Sequence, residues 1–162
     1  MFCQIVSLPR SGSHMLGSAL SSHPELVCIG EYASDDFPEW ANDGNCQIVQ
    51  LYNITPNAEK YIVLVRSLED RKRSWRKDGP THYYEPINVS DIEPIGVDFI
   101  IGQDMQQKLQ DFIGSNKCLI LHYEELTGNA DIRQIPDKYG RMICEYLEVE
   151  YQPLVPATYK PT

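Results

Sequence analysis

Tyr61-Ile62-Val63-Leu64-Val65 is apolar throughout and stops abruptly at Arg66. A strand with one wet face would alternate; a continuous apolar run suits a parallel strand covered on both faces. This one segment predicts an α/β fold. Four further runs read as strands, at about 2–7, 26–29, 47–52 and 117–123. Leu16, Ala19, Leu20 and His23 fall at i, i+3, i+4, i+7, so a helix is predicted from about Gly12 to Ser22, where Pro24 disfavours its continuation. Ser67 followed by Asp70 reads as a capping arrangement opening another helix. Further helices are predicted at about 98–113 and 136–147. Every connection is long enough for a right-handed crossover. The expectation is one domain over 1–162, a three-layer α/β/α arrangement around a mostly parallel five-stranded sheet. Its irregular tail is 148–162, and 33–45 and 78–97 are long loops.

Ligands of such sheets bind at the carboxyl ends of the strands. Ser7, Gly30, Asn53, Arg66 and Tyr123 all fall at predicted strand ends. The first of these ends opens Ser7-Leu8-Pro9-Arg10-Ser11-Gly12-Ser13-His14, between a strand and a helix. A helix start presents backbone N–H groups and the positive end of the helix dipole, which suit a phosphate or sulfate. Arg10 adds a permanent charge, and Gly12 removes a Cβ that would keep an anion off the backbone. The loop departs from the ATP-binding pattern G-x-x-x-x-G-K-[ST]. Ser7 stands at the first Gly, Ser13 at the Lys and His14 at the magnesium-binding hydroxyl. A plain Ser/Gly turn is the bland alternative.

Pro9-Arg10-Ser11-Gly12-Ser13, followed by His23-Pro24-Glu25 and Gly30-Glu31, resembles the sulfotransferase superfamily. So does a strand ending in Arg66 with Ser74 eight residues on, and so does Tyr123-Glu124-Glu125-Leu126. The three motifs stand in the family's order and span nearly the whole chain. The resemblance implies a P-loop-like fold and transfer of a sulfuryl group from 3′-phosphoadenosine 5′-phosphosulfate (PAPS) to a hydroxyl or amine. It implies that Arg10, Ser11, Gly12, Ser13 and His14 hold the 5′-phosphosulfate. Arg66 and Ser74 would hold the 3′-phosphate, with Tyr123 near the adenine. No metal is implied. Arg10 stands where the cytosolic small-molecule enzymes have Lys, and His14 where the family usually has Thr or Ser. The protein-tyrosine branch has a Lys after the third strand, where this chain has Ile54. Lys60 or Lys160 is the candidate to stand in for it.

Negative charge grows on the oxygen between sulfur and phosphorus during transfer. Arg10 and the N–H groups of Gly12, Ser13 and His14 are the expected donors, each contributing on the order of 3 kcal/mol. Arg10 and Glu31 are the predicted catalytic residues. Glu31 is the general base, as in branches with a similar run, and His14 or His82 is the alternative. The ordinary reading of Arg66 is an ion pair with Glu69 or Asp70, that of Ser74 a plain helix serine, and that of Tyr123 a rim aromatic. His23 is expected to be structural.

A net charge of −9 over 162 residues argues against a nucleic-acid binder. Yet six of the 14 Lys and Arg lie within 66–77, which suits a small anionic ligand or a solvated helix face. Five cysteines without a C-x-x-C pair support neither zinc nor a disulfide framework. No leader and no run approaching 18 apolar residues is evident, so a cytoplasmic protein without a membrane partner is expected. The acceptor would be a small molecule, carbohydrate or peptide, read by 33–45 and 78–97. A nucleotide-binding protein without transfer activity is the second reading, and a small kinase the third.

Overall fold

The computed structural model describes residues 3–8, 11–29, 46–50, 58–67, 69–71, 73–74 and 103–156. It is an α/β fold. Strands β1 (Cys3–Ser7), β2 (Cys28–Ile29), β3 (Cys46–Gln50), β4 (Lys60–Val65) and β5 (Leu119–His122) form one sheet in the order β2-β3-β1-β4-β5. Every pairing is parallel. The register sets Ser7 opposite Leu64 and Val65 opposite His122, so β1, β4 and β5 end along one rim.

Both faces of the sheet are covered, which explains the unbroken apolar run in β4. On one face Cys3, Ile5, Ile62, Leu64 and Leu121 pack against Leu16, Ala19 and Leu20 of α1 (Ser13–Ser21). On the other, Val6 and Val63 pack with Leu109 of α2 (Gln103–Ser115), and Tyr61 meets Phe112 edge-to-face at 5.2 Å. Two further helices are α3 (Tyr123–Thr127) and α4 (Asp137–Tyr146). Ile143 and Cys144 of α4 join the α1 side of the core. Helix α1 rides close to the sheet because Gly17 leaves room for it: a Cβ there would stand 2.5 Å from Ile48 Cδ1.

His23 is 1 % exposed and structural. Its Nδ1 accepts the Glu25 N–H at 3.1 Å, so Nε2 carries the proton and donates to the Glu150 carbonyl at 2.8 Å. That bond ties the end of α1 to the segment after α4. The five cysteines are free. Cys3, Cys46 and Cys28 stand at one level of β1, β3 and β2. A hydrogen bond to Cys46, with burial second, holds the Cys3 thiol protonated.

Several boundaries differ from expectation. The strand expected at 26–29 shortens to Cys28–Ile29, because the Leu26 N–H turns back to the His23 carbonyl and Leu26 plugs the core. β3 starts one residue early, at Cys46, which bonds back to the Val27 carbonyl. The helix expected at 98–113 is described from Gln103 and runs on to Ser115. β5 begins at Leu119 and stops at His122; Tyr123 opens α3 instead of ending the strand. Glu124 and Glu125 in the first turn of α3 favour helix there by complementing its dipole. Lys60 is corrected too. It begins β4, at the opposite end of the sheet from the rim, and bonds to the Tyr146 carbonyl and to Glu148. It cannot supply a cation to the strand ends. The irregular tail holds over 149–156, which contain no helix or strand. The loops 33–45 and 78–97 and Lys160 lie outside the described residues.

Candidate functional site

The site is built where β1, β4 and β5 end. After Ser7 the chain reaches Gly12, at φ +91°, which caps α1 without a side chain. The left-handed conformation is open to glycine and strained for other residues. The first α1 bond closes from the Leu16 N–H to the Gly12 carbonyl at 3.1 Å. Ser11 and Ser13 beside it are buried, and His14 is exposed. Among the described residues, the Ser7 and Ser11 hydroxyls are buried without a hydrogen-bond partner.

Arg66 follows β4 directly. Its guanidinium lies over the Tyr123 ring, 4.2 Å from the centroid. Gly12 abuts the same ring: a Cβ on Gly12 would overlap Tyr123 Cδ2 and Cε2 and sit 3.6 Å from Cγ. Three predicted site residues from three strand ends are therefore in contact. One arginine N–H goes elsewhere, from Nη2 to Asn129 Oδ1 at 3.3 Å. Ser74 is half-buried in the helical residues that follow Ser67. Arg71, one turn before it, is fully buried. Arg10, Glu31 and His82 lie outside the described residues.

Ser67 caps its helix as expected, accepting the Asp70 N–H at 3.1 Å. The reciprocal half comes from a distance: Glu124 Oε1 accepts the Ser67 N–H at 2.7 Å. Asp70 also accepts from Asn129 Nδ2 at 3.4 Å and pairs with Arg73 at 2.9 Å. Ser67 first, then Asn129 and Arg73, hold the Asp70 carboxyl below its usual 3.8. A depressed native pKa adds stability that is full above the unfolded value and is lost as pH falls through the native one. Wild type should therefore exceed Asp70→Asn in urea-melt stability at about pH 6, and the gap should close as pH falls below the usual 3.8 and through the lower native value. A gap constant with pH would show that the Asp70 charge contributes nothing.

Sequence reasoning missed Glu124 as a cap partner and Asn129 as a neighbour of Arg66. The available signal was Gly128-Asn129 just after Tyr123-Glu124-Glu125-Leu126. Gly128 ends α3 at φ +60° and Asn129 follows at φ +60°, turning the chain back toward β4. Among the described residues, no cluster of three or more His, Cys, Asp or Glu is placed to hold a metal, and no helix is long and apolar enough to cross a membrane. No protein-family model matches the chain, and no curated protein matches it.

Proposed function

We propose that the chain is a PAPS-dependent sulfotransferase built on a P-loop-like three-layer α/β/α domain. The observation that carries this reading is the meeting of Gly12, Tyr123 and Arg66 at adjoining strand ends. A nucleotide with anionic groups at both 5′ and 3′ positions needs two anion sites on one rim. The loop before α1 suits one of them: it has a glycine without a Cβ, an unmatched Ser11 hydroxyl and a helix start. Arg66 at the end of β4 suits the other, with a planar fork made for phosphate.

In this reading Ser11, Gly12, Ser13 and His14 cradle the 5′-phosphosulfate. Arg10 offsets the charge that grows on the oxygen between phosphorus and sulfur. Glu31 takes the proton of the acceptor hydroxyl or amine as its bond to sulfur forms and the sulfur–oxygen bond to phosphate breaks. Arg66 and Ser74 grip the 3′-phosphate. Tyr123 lies near the adenine, with Arg66 over its ring and Gly12 against it, so the one ring adjoins both anion sites. The acceptor, a small molecule, carbohydrate or peptide, would be read by 33–45 and 78–97, and the compartment would be the cytoplasm.

The test is calorimetry with 3′-phosphoadenosine 5′-phosphate, with adenosine 5′-phosphosulfate and with Mg·ATP, followed by a labelled-sulfate transfer screen. The bisphosphate should bind and Mg·ATP should not compete with it. Arg66→Ala should weaken the bisphosphate on the order of 10- to 150-fold, the worth of hydrogen bonds to a charged group. It should barely alter adenosine 5′-phosphosulfate, which has no 3′-phosphate. Equal losses for both would show that Arg66 does not read the 3′ position. Binding without transfer to any acceptor class would favour the binding-protein reading, which the exposed His14 in place of a hydroxyl already suits.

A further inference from the structure

We infer that Asn129 is a positioning residue that, with Tyr123, fixes the Arg66 fork in its phosphate-facing place. That the fork faces phosphate rests on the function proposed above; its position rests on geometry alone. An arginine at a strand end has several rotatable bonds, and ordering them on binding costs affinity. Here two groups order it in advance. The Tyr123 ring lies under the guanidinium at 4.2 Å, which fixes its plane. The Asn129 Oδ1 accepts from Nη2 at 3.3 Å, which fixes its rotation within that plane.

Asn129 is itself held at three points. Its backbone N–H donates to Thr127 Oγ1 at 2.9 Å. Its Nδ2 donates to Asp70 Oδ2 at 3.4 Å, so Oδ1 is the end presented to the arginine. Its backbone takes φ +60°, a conformation Asn tolerates better than most residues. Asp70 in turn sits on the Ser67 cap and against Arg73. The orientation of Arg66 therefore passes from the helix after β4, through Asp70 and Asn129, to the fork. A neutral acceptor suits this task. An aspartate at 129 would cancel the charge a phosphate needs and would set a second carboxylate against Asp70 Oδ2.

The deciding variant is Asn129→Gly. Glycine accepts φ +60° without strain and keeps the N–H bonded to Thr127, so the fold should survive intact. Only the amide is lost. The first readout needs no ligand: NMR shifts of the Arg66 side-chain protons beside the guanidinium, which the Tyr123 ring, its centroid 4.2 Å from Cζ, should move upfield in wild type. Asn129→Gly should return them toward the values of an unrestrained arginine. The second readout is calorimetry with 3′-phosphoadenosine 5′-phosphate, where Asn129→Gly should bind about tenfold more weakly. Adenosine 5′-phosphosulfate should bind unchanged. An Arg66 shift that Asn129→Gly leaves in place overturns the proposal. So does a lost shift with full bisphosphate affinity. A lost shift in a protein whose wild type binds no bisphosphate upholds the positioning role and sinks the sulfotransferase reading instead.

Discussion

Gly12→Ala should cost roughly 2–5 kcal/mol of folding stability, measured by urea unfolding. Two effects add. An alanine held at φ +91° suffers the left-handed penalty, about 1–2 kcal/mol. Its methyl would also overlap Tyr123 Cδ2 and Cε2. Overpacking of this kind costs about 1–3 kcal/mol where the neighbour cannot move. Tyr123 is poorly able to move, because Arg66 covers its ring and its body packs on the core beside α1. For a domain with a typical stability of 5–15 kcal/mol, that is a large share of the total.

The two effects can be separated. Tyr123→Ala removes the ring that the methyl would strike. In that background Gly12→Ala should cost only the backbone part, so a double-mutant cycle should return a coupling of about 1–3 kcal/mol. A cost identical in both backgrounds would mean that the ring does not press on Gly12. The coupling also bears on function. If Gly12 and Arg66 share one ring, Gly12→Ala should weaken binding at the 3′ position as well as the 5′ position.

The local elements were open to sequence reasoning because their causes are local. The 61–65 run lacks alternation, and its strand has cover on both faces. Leu16, Ala19 and Leu20 keep helical spacing, and all three are buried. The Ser67 cap needed only its partner three residues on. What escaped depends on pairings across long stretches of chain. No pattern around Tyr123 tells that the strand stops before it and that it opens a helix. The strand and the helix differ there by a balance between β-propensity and two acidic residues at a helix start. Nor does spacing reveal that its ring is shared by Gly12 and Arg66, which lie far from it in the chain. Lys60 is a similar case: a charge next to a strand says nothing about which end of the sheet it serves until the register is known. Asn129 carries a backbone signal, the Gly-Asn turn, but its partners Arg66 and Asp70 are set by the sheet.

Glu31→Gln should lower the transfer rate on the order of 10²–10⁴-fold while folding and donor binding survive, because glutamine keeps the size and hydrogen-bonding reach of glutamate but takes up no proton. The expectation comes from Gly30-Glu31 following the predicted second strand, and from the need of a hydroxyl or amine acceptor for a base. A glutamate at its ordinary pKa of about 4.3 is a weak base, so the site must raise that value for the residue to work near neutral pH. The pH profile then carries the assignment. The logarithm of the wild-type rate should rise with pH and flatten above the Glu31 pKa in the complex, and this limb should vanish in Glu31→Gln. Arg10→Ala makes the useful contrast, since it should cut the rate more than donor affinity while leaving the limb in place. Donor affinity, read by calorimetry, guards against a trivial loss of binding. If Glu31→Gln turns over at near-normal rate while His14→Ala or His82→Ala abolishes transfer, the base is a histidine. The loop would then support a different acid–base arrangement on the same anion-binding rim.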